Sequence, residues 1–227
     1  VDAAVDSVSS DLQDHPGLLF DRAEWRRRAR MTDRVTPLLR QIDGEAVPAA
    51  GRSRLWKAKH PRVRTALKDG DWALAYELSV HHGLNSGRDF AEAEWLSGWI
   101  QLRHLGNASA GLEHFKRLKD GVSTPISLSR AKYWIGRSHE AMGAQELADA
   151  AYAEAAQHRF SYYGQLAAEK AMQSTIYIPT DDTVTEVDRQ NFDDRALVKA
   201  MRLFAENGWD ASFRKFAYHL DDQLTRA

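Results

Sequence analysis

Glycines recur through the middle of the chain at a nearly constant interval, and that spacing limits the folds open to it. Gly70, Gly106 and Gly143 are separated by 36 and 37 residues, and a second series, Gly83 and Gly121, by 38. Periods of this size belong to stacked helical pairs or to propeller blades, and the stretches between the glycines decide which. Trp95, Trp99 and Leu102 stand at i, i+4 and i+7, with Leu96 and Ile100 beside them. Leu112, Phe115 and Leu118 follow at spacing three, then Ala131, Trp134, Ile135, Ser138, Ala141 and Met142, then Leu147, Ala148, Ala151, Tyr152 and Ala155. Each set repeats with the period of a helix, so each segment is an amphipathic helix rather than a strand. The short run 175–179 is the one β-like stretch, and Pro179 ends it. The expected fold is all-α, an α-solenoid or superhelix of stacked antiparallel helix pairs resembling tetratricopeptide repeats.

The glycines then read as residues just past helix ends, where a left-handed backbone costs glycine little. Gly143 is expected to adopt it, and Asp71 and Asn107 to serve the helices that follow Gly70 and Gly106. Ser127 or Ser129 is expected to cap the helix carrying Trp134, with Pro125 just outside it. Setting Gly136 as the small residue of a repeat's first helix puts Ala148, Tyr152 and Ala155 on the small, aromatic and small positions of its second. Trp134 and Tyr152 should therefore be buried near each other. The preceding unit fits in part: Gly98 and Ala110 match, but His114 stands where the aromatic belongs and Phe115 one place later. Four regions are expected: N-terminal helices over 1–50, the helical repeats over 51–175, an acidic loop over 176–192, and a further helix pair over 193–227. Within the first, 18–30 and 34–42 read as helices and 44–51 as a connector.

Composition removes several kinds of function. With 31 basic and 32 acidic residues the formal net charge is −1, without the basic excess of a dedicated nucleic-acid binder. Cysteine is absent, which excludes disulfides, thiolate zinc sites and cysteine nucleophiles together. There is no run of 18 apolar residues, hence no spanning helix, and residues 1–10 lack the apolar core of a signal peptide. No H-E-x-x-H, acidic calcium loop, phosphate loop or nucleophile elbow occurs. His81 and His82 are adjacent, so on a helix they diverge by about 100° and do not converge on one ion. No metal, cofactor or nucleic-acid partner is expected.

Other chemistry-bearing residues read as ordinary helix surface or core. Glu92 and Glu94 resemble a glycosidase carboxylate pair only in type. At i, i+2 they point apart, and both read as surface acids near a helix N-terminus, stabilised by its dipole. Arg26, Arg27, Arg28 and Arg30 beside Trp25 read as a solvated face, or more sharply as an anion or glycan contact. The seven tryptophans lie mostly on helical stripes, as core side chains do.

Three segments carry a family resemblance. Ala91-Glu92-Ala93-Glu94-Trp95-Leu96-Ser97-Gly98-Trp99-Ile100 resembles a characteristic stretch of the soluble lytic transglycosylases. So do the run 125–137, with Arg130, Tyr133, Trp134, Gly136 and Arg137, and the run 162–167, with Tyr162, Tyr163, Gly164 and Gln165. They occur in the family's order and spacing, and 18–28 looks like an upstream piece of it, so that the resemblance extends over 15–225. In that family these segments belong to a helical superhelix, structural and not catalytic. The catalytic part is a lysozyme-like domain nearer the C-terminus, with a Glu-Ser pair and a Gly-Leu-Met-Gln motif, neither of which occurs here. The resemblance implies a scaffold region of a periplasmic enzyme that cleaves peptidoglycan without hydrolysis, leaving anhydro-muramoyl ends. Its partners would be peptidoglycan, through the full-length enzyme, and the C-terminal catalytic domain of the same protein. No catalytic residue carries over to this chain, which on this reading is a piece beginning and ending within the stack. Two other readings fit the periodicity: a free-standing peptide-binding adaptor, and a small complete enzyme using Glu92 or Glu94 as its acid.

Overall fold

A computed structural model describes residues 2–171 and 184–224, which divide into two compact units, Val1–Ile176 and Tyr177–Ala227. In the first unit the helices are α1 (Asp2–Asp6), α2 (Pro16–Arg28), α3 (Thr36–Arg40), α4 (Ala49–Asp69), α5 (Trp72–Val80), α6 (Gly87–Arg103), α7 (Ala108–Asp120), α8 (Pro125–Ala141), α9 (Gln145–Ala156) and α10 (Tyr162–Lys170). The second holds α11 (Glu186–Asp193), α12 (Ala196–Glu206) and α13 (Asp210–Leu224). No strand occurs among the described residues. From α4 to α10 each helix packs on its neighbours in sequence, and α4 touches α6, α6 touches α8 and α8 touches α10.

Glycine sets both the ends and the spacing of these helices. After α8 the Gly143 N–H reaches the Glu140 carbonyl and the Ala144 N–H the His139 carbonyl, at 3.1 and 2.9 Å, while Gly143 has φ +74°. This pair of bonds closes a helix end only through a left-handed residue. Gly70 and Gly106 are left-handed as well, and the next helices are capped as expected, Asp71 Oδ1 accepting from the Leu74 N–H and Asn107 Oδ1 from the Ala110 N–H. Gly136 has another role. A Cβ there would lie 2.6 Å from the Tyr152 ring, so the glycine lets α8 and α9 approach with the ring between them. Gly98 does the same for Phe115 across α6 and α7, at 2.7 Å. Trp134 and Tyr152 are both buried in the α8–α9 core, each with its ring 5.7 Å from that of Tyr133, which links them.

Local expectations fail in four places. Thr124, not Ser127 or Ser129, caps α8, its hydroxyl accepting from the Ser127 N–H, and Pro125 lies inside the first turn. Proline is suited to that position because its missing N–H would have no helical partner. The 44–51 connector is shorter than expected, since α4 begins at Ala49, and 34–42 yields only a single-turn helix, α3, after a 3-10 turn. The acidic stretch 176–192 is not all loop. Thr185 and Asp188 form a reciprocal capping box, and the helix it starts runs through Asp193. The β-like run 175–179 lies outside the described residues. In the second unit α12 packs on both α11 and α13, with Phe204 set 4.9 Å from Phe216 and 5.9 Å from Trp209.

Candidate functional site

α6 lies between α5 and α7, and nine of its seventeen residues are buried. A helix covered so broadly has only a narrow solvent strip. Glu92 lies on that strip, with its side chain 35% exposed, whereas Glu94 is 4% exposed, which corrects its reading as a surface acid. Three donors face the Glu94 carboxylate: His114 Nδ1 at 2.6 Å, Arg117 Nε at 3.0 Å and His82 Nε2 at 3.3 Å. His82 Nδ1 accepts from the Leu84 N–H at 2.8 Å, so the ring proton sits on Nε2 and points at Glu94. The far nitrogen of His114 meets the Tyr76 hydroxyl at 3.1 Å. With Nδ1 of His114 donating to Glu94, the close approach of Arg117 Nη2 to the same nitrogen is packing rather than a hydrogen bond.

Burial alone would push the Glu94 carboxyl up. The bonds from His114, His82 and Arg117 outweigh it and hold the group well below the usual carboxylate range. Glu94 is therefore a fixed anion, the opposite of a general acid. The other described carboxyls with displaced values, Asp11, Glu24, Glu140 and Asp188, are also lowered. Lys59 lies close by with no exposed surface. Its Nζ donates to the Ile42 carbonyl at 2.6 Å and the His81 carbonyl at 3.1 Å, and burial lowers it to about 8. An open cleft of about 1010 Å³ runs over this region, with Arg52, Asp120 and Arg117 among its lining.

The three segments that carry the resemblance meet at a second groove, of about 520 Å³, formed by the N-terminal ends of α6, α8 and α10. Glu92 of the first segment, Ile126 and Arg130 of the second, and Tyr162 and Tyr163 of the third all line it. Beneath the groove the segments are packed together. Arg130 Nη2 donates to the Ala91 carbonyl at 3.1 Å, and its guanidinium lies 5.3 Å from the centre of the Trp95 ring. Trp95 stacks with Trp99 at 6.0 Å and meets Trp134 edge-on at 6.4 Å, and Tyr163 sits 5.4 Å from Tyr133. Gly98 and Gly136 hold helix crossings. Gly164 is pressed against the His158 carbonyl, where a Cβ would collide. Arg137 bonds the Tyr133 hydroxyl and pairs with Glu140 at 3.1 Å, while Gln165 is exposed and reaches the Arg159 carbonyl. Of the thirteen motif residues, Glu94 alone belongs to the buried anion cluster.

The remaining candidates are more ordinary. Arg27 pairs with Glu24 at 3.0 Å on an exposed face, Arg26 donates to the Arg34 carbonyl, and Trp25 is half exposed. Among the described residues no set of three or more His, Asp or Glu side chains could hold a metal ion, and no helix is long and apolar enough to cross a membrane. The His82–Glu94–His114–Arg117 cluster escaped the sequence reading. One signal for it was visible: His114 occupies a position where the repeat calls for an aromatic. No protein-family profile matches the chain, and neither a curated protein nor a solved structure is significantly similar to it.

Proposed function

We propose that the chain is the non-catalytic superhelical region of a periplasmic lytic transglycosylase, a scaffold that positions a C-terminal lysozyme-like domain against peptidoglycan strands. The observation that carries this reading is the convergence of the three resembling segments. They begin at Ala91, Pro125 and Tyr162, far apart in sequence, yet they share one groove and one layer of aromatic packing. Segments that recur together are expected to form one physical unit, and these do. The contacts between α4, α6, α8 and α10, with α5, α7 and α9 paired between them, also favour a tetratricopeptide-like solenoid with a continuous curved wall.

The scaffold role is consistent with the electrostatics. Non-hydrolytic cleavage of a glycosidic bond needs a carboxylic acid of raised pKa close to the leaving oxygen. Every described carboxyl with a displaced value is displaced the other way. The test is to incubate purified sacculi with this chain and with the full-length protein and to chromatograph the soluble products. Anhydro-muropeptides released by the full-length protein alone are expected. Release by this chain, abolished in Glu92→Gln or Glu94→Gln, would favour a small complete enzyme, and inactivity of both proteins a peptide-binding adaptor.

A further inference from the structure

A third hollow, of about 380 Å³, opens between the start of α2, the segment 42–48 and the first two turns of α4. Its floor is core: Ile42 has no exposed surface and Leu55 only 1%, and Phe20 and Val47 pack against the same cluster. Pro16 and Pro48, the residues that start α2 and precede α4, form rigid walls, because their rings fix the backbone there. Gly17, Ala46 and Gly51 add little or no side chain, so the space stays open. Water in such a hollow finds few hydrogen-bond partners and is readily displaced by an apolar group. Two side chains of the lining are polar, and both are donors. His15 Nδ1 accepts from the Gly17 N–H at 3.1 Å, so the ring proton sits on Nε2, which bonds no described residue. The Arg54 guanidinium lies 4.8 Å from the centre of the Phe20 ring and pairs with no acid among the described residues. Glu24 feels its charge but is bound through both oxygens to Arg27, at 3.0 Å each.

The lining itself selects a ligand. No acid faces the hollow, so the two donors favour an anion, and a guanidinium laid on an aromatic face still has its fork of N–H groups for a carboxylate. The other side chains of the lining are carbon, so the body of the ligand must be apolar. A peptide is disfavoured, because its amides would be buried there without side-chain partners. The volume lies at the small end of the range for small-ligand sites and excludes a folded partner. We infer that this hollow binds a free apolar monocarboxylate of the size of a medium-chain fatty acid, its head on Arg54 and His15 and its body against Phe20, Val47 and Leu55. The site shares no residue with the cleft over Glu94 or with the groove at the ends of α6, α8 and α10, and it does not depend on the scaffold reading.

The experiment is isothermal titration calorimetry of the chain with octanoate, octan-1-ol, butyrate and N-acetyl-Leu-Leu. Octanoate should bind saturably at one site. Octan-1-ol, with the same chain and no charge, should bind roughly tenfold more weakly, the loss of one charge-assisted contact. Butyrate, shorter by four methylenes, should bind roughly a hundredfold more weakly or worse. In Arg54→Gln the affinity for octanoate should fall to that for octan-1-ol, while octan-1-ol binds as before. Arg54 is exposed, so the circular-dichroism melt should move little. Absence of octanoate binding overturns the inference, as does butyrate or octan-1-ol that binds as tightly as octanoate. An Arg54→Gln variant that binds octanoate like the wild type overturns it as well. So does N-acetyl-Leu-Leu bound as tightly as octanoate, because the occupant is then the end of a peptide. The wild-type comparison of acid with alcohol decides the role of charge by itself should the variant not fold.

Discussion

Glu94→Gln is the most informative single change, because it alters charge at nearly constant volume at a buried position. The wild-type carboxylate accepts from His114, Arg117 and His82 at 2.6, 3.0 and 3.3 Å. An amide has one oxygen, and its NH2 must face one of those donors. One imidazole N–H is then left buried without an acceptor, since the His82 and His114 side chains are only 5% and 4% exposed. That costs ~1–3 kcal/mol. The bond that remains is no longer charge-assisted and falls to about half its strength. Arg117 is 51% exposed and turns to water, so its share is ~1 kcal/mol or less. The total is about 2–4 kcal/mol, or roughly 4–16 °C in melting temperature for a domain of this size. Urea unfolding followed by tryptophan fluorescence measures it well, because six of the seven tryptophans precede residue 172. The effect must also depend on pH with a definite sign. The folded carboxyl lies below its ordinary value, so its stabilisation is complete above the unfolded value of about 4.3 and is lost progressively as pH falls from there towards the lower folded value. The gap between wild type and variant should therefore narrow in acid. A variant within ~0.5 kcal/mol of wild type, the scale of an ordinary surface substitution, would refute the buried cluster. So would a gap that widens on acidification.

Lys59 should show the opposite charge logic. Its folded value of about 8 lies below that of an unfolded lysine, so the unfolded chain holds the extra proton between the two and stability rises with pH across that window. Relative to Lys59→Met, the wild type should gain ~2–3 kcal/mol between pH 7 and about 11, the equivalent of the shift; a flat difference in urea stability would refute it. Arg30 occupies the left-handed position after α2, at φ +59°, with the Met31 N–H bonded back to the Arg26 carbonyl. Arg30→Gly should therefore raise stability by ~0.5–1 kcal/mol, net of glycine's added freedom in the unfolded chain, and a loss would show that the side chain earns its place. Gly143→Val places a branched residue at φ +74° and should cost at least ~1 kcal/mol, measured in the same way.

The sequence by itself determined the helices α6 to α9, their pairing and most of their ends. A 3.6-residue stripe, an Asp or Asn cap and a left-handed glycine each act within a few residues. Gly70-Asp71, Gly106-Asn107 and Gly143 could therefore be read directly, and the near approach at Gly136 and Tyr152 followed from one repeat. The expected cap at Ser127 or Ser129 is displaced for a local reason of the same kind: Thr124 competes for the role, and proline at the next position favours it. Tertiary structure alone decided which side of a helix is inside when both neighbours cover it. Glu94 looks like a surface acid in any window around it, because the groups that neutralise it lie 12, 20 and 23 residues away on other elements. The groove has the same origin. Arg88, Arg130 and Tyr162 sit in unrelated stretches, and only the stacking of α6, α8 and α10 in register brings their first turns to one edge. Burial of charge and convergence of side chains depend on the distance between elements, a quantity that local periodicity does not contain.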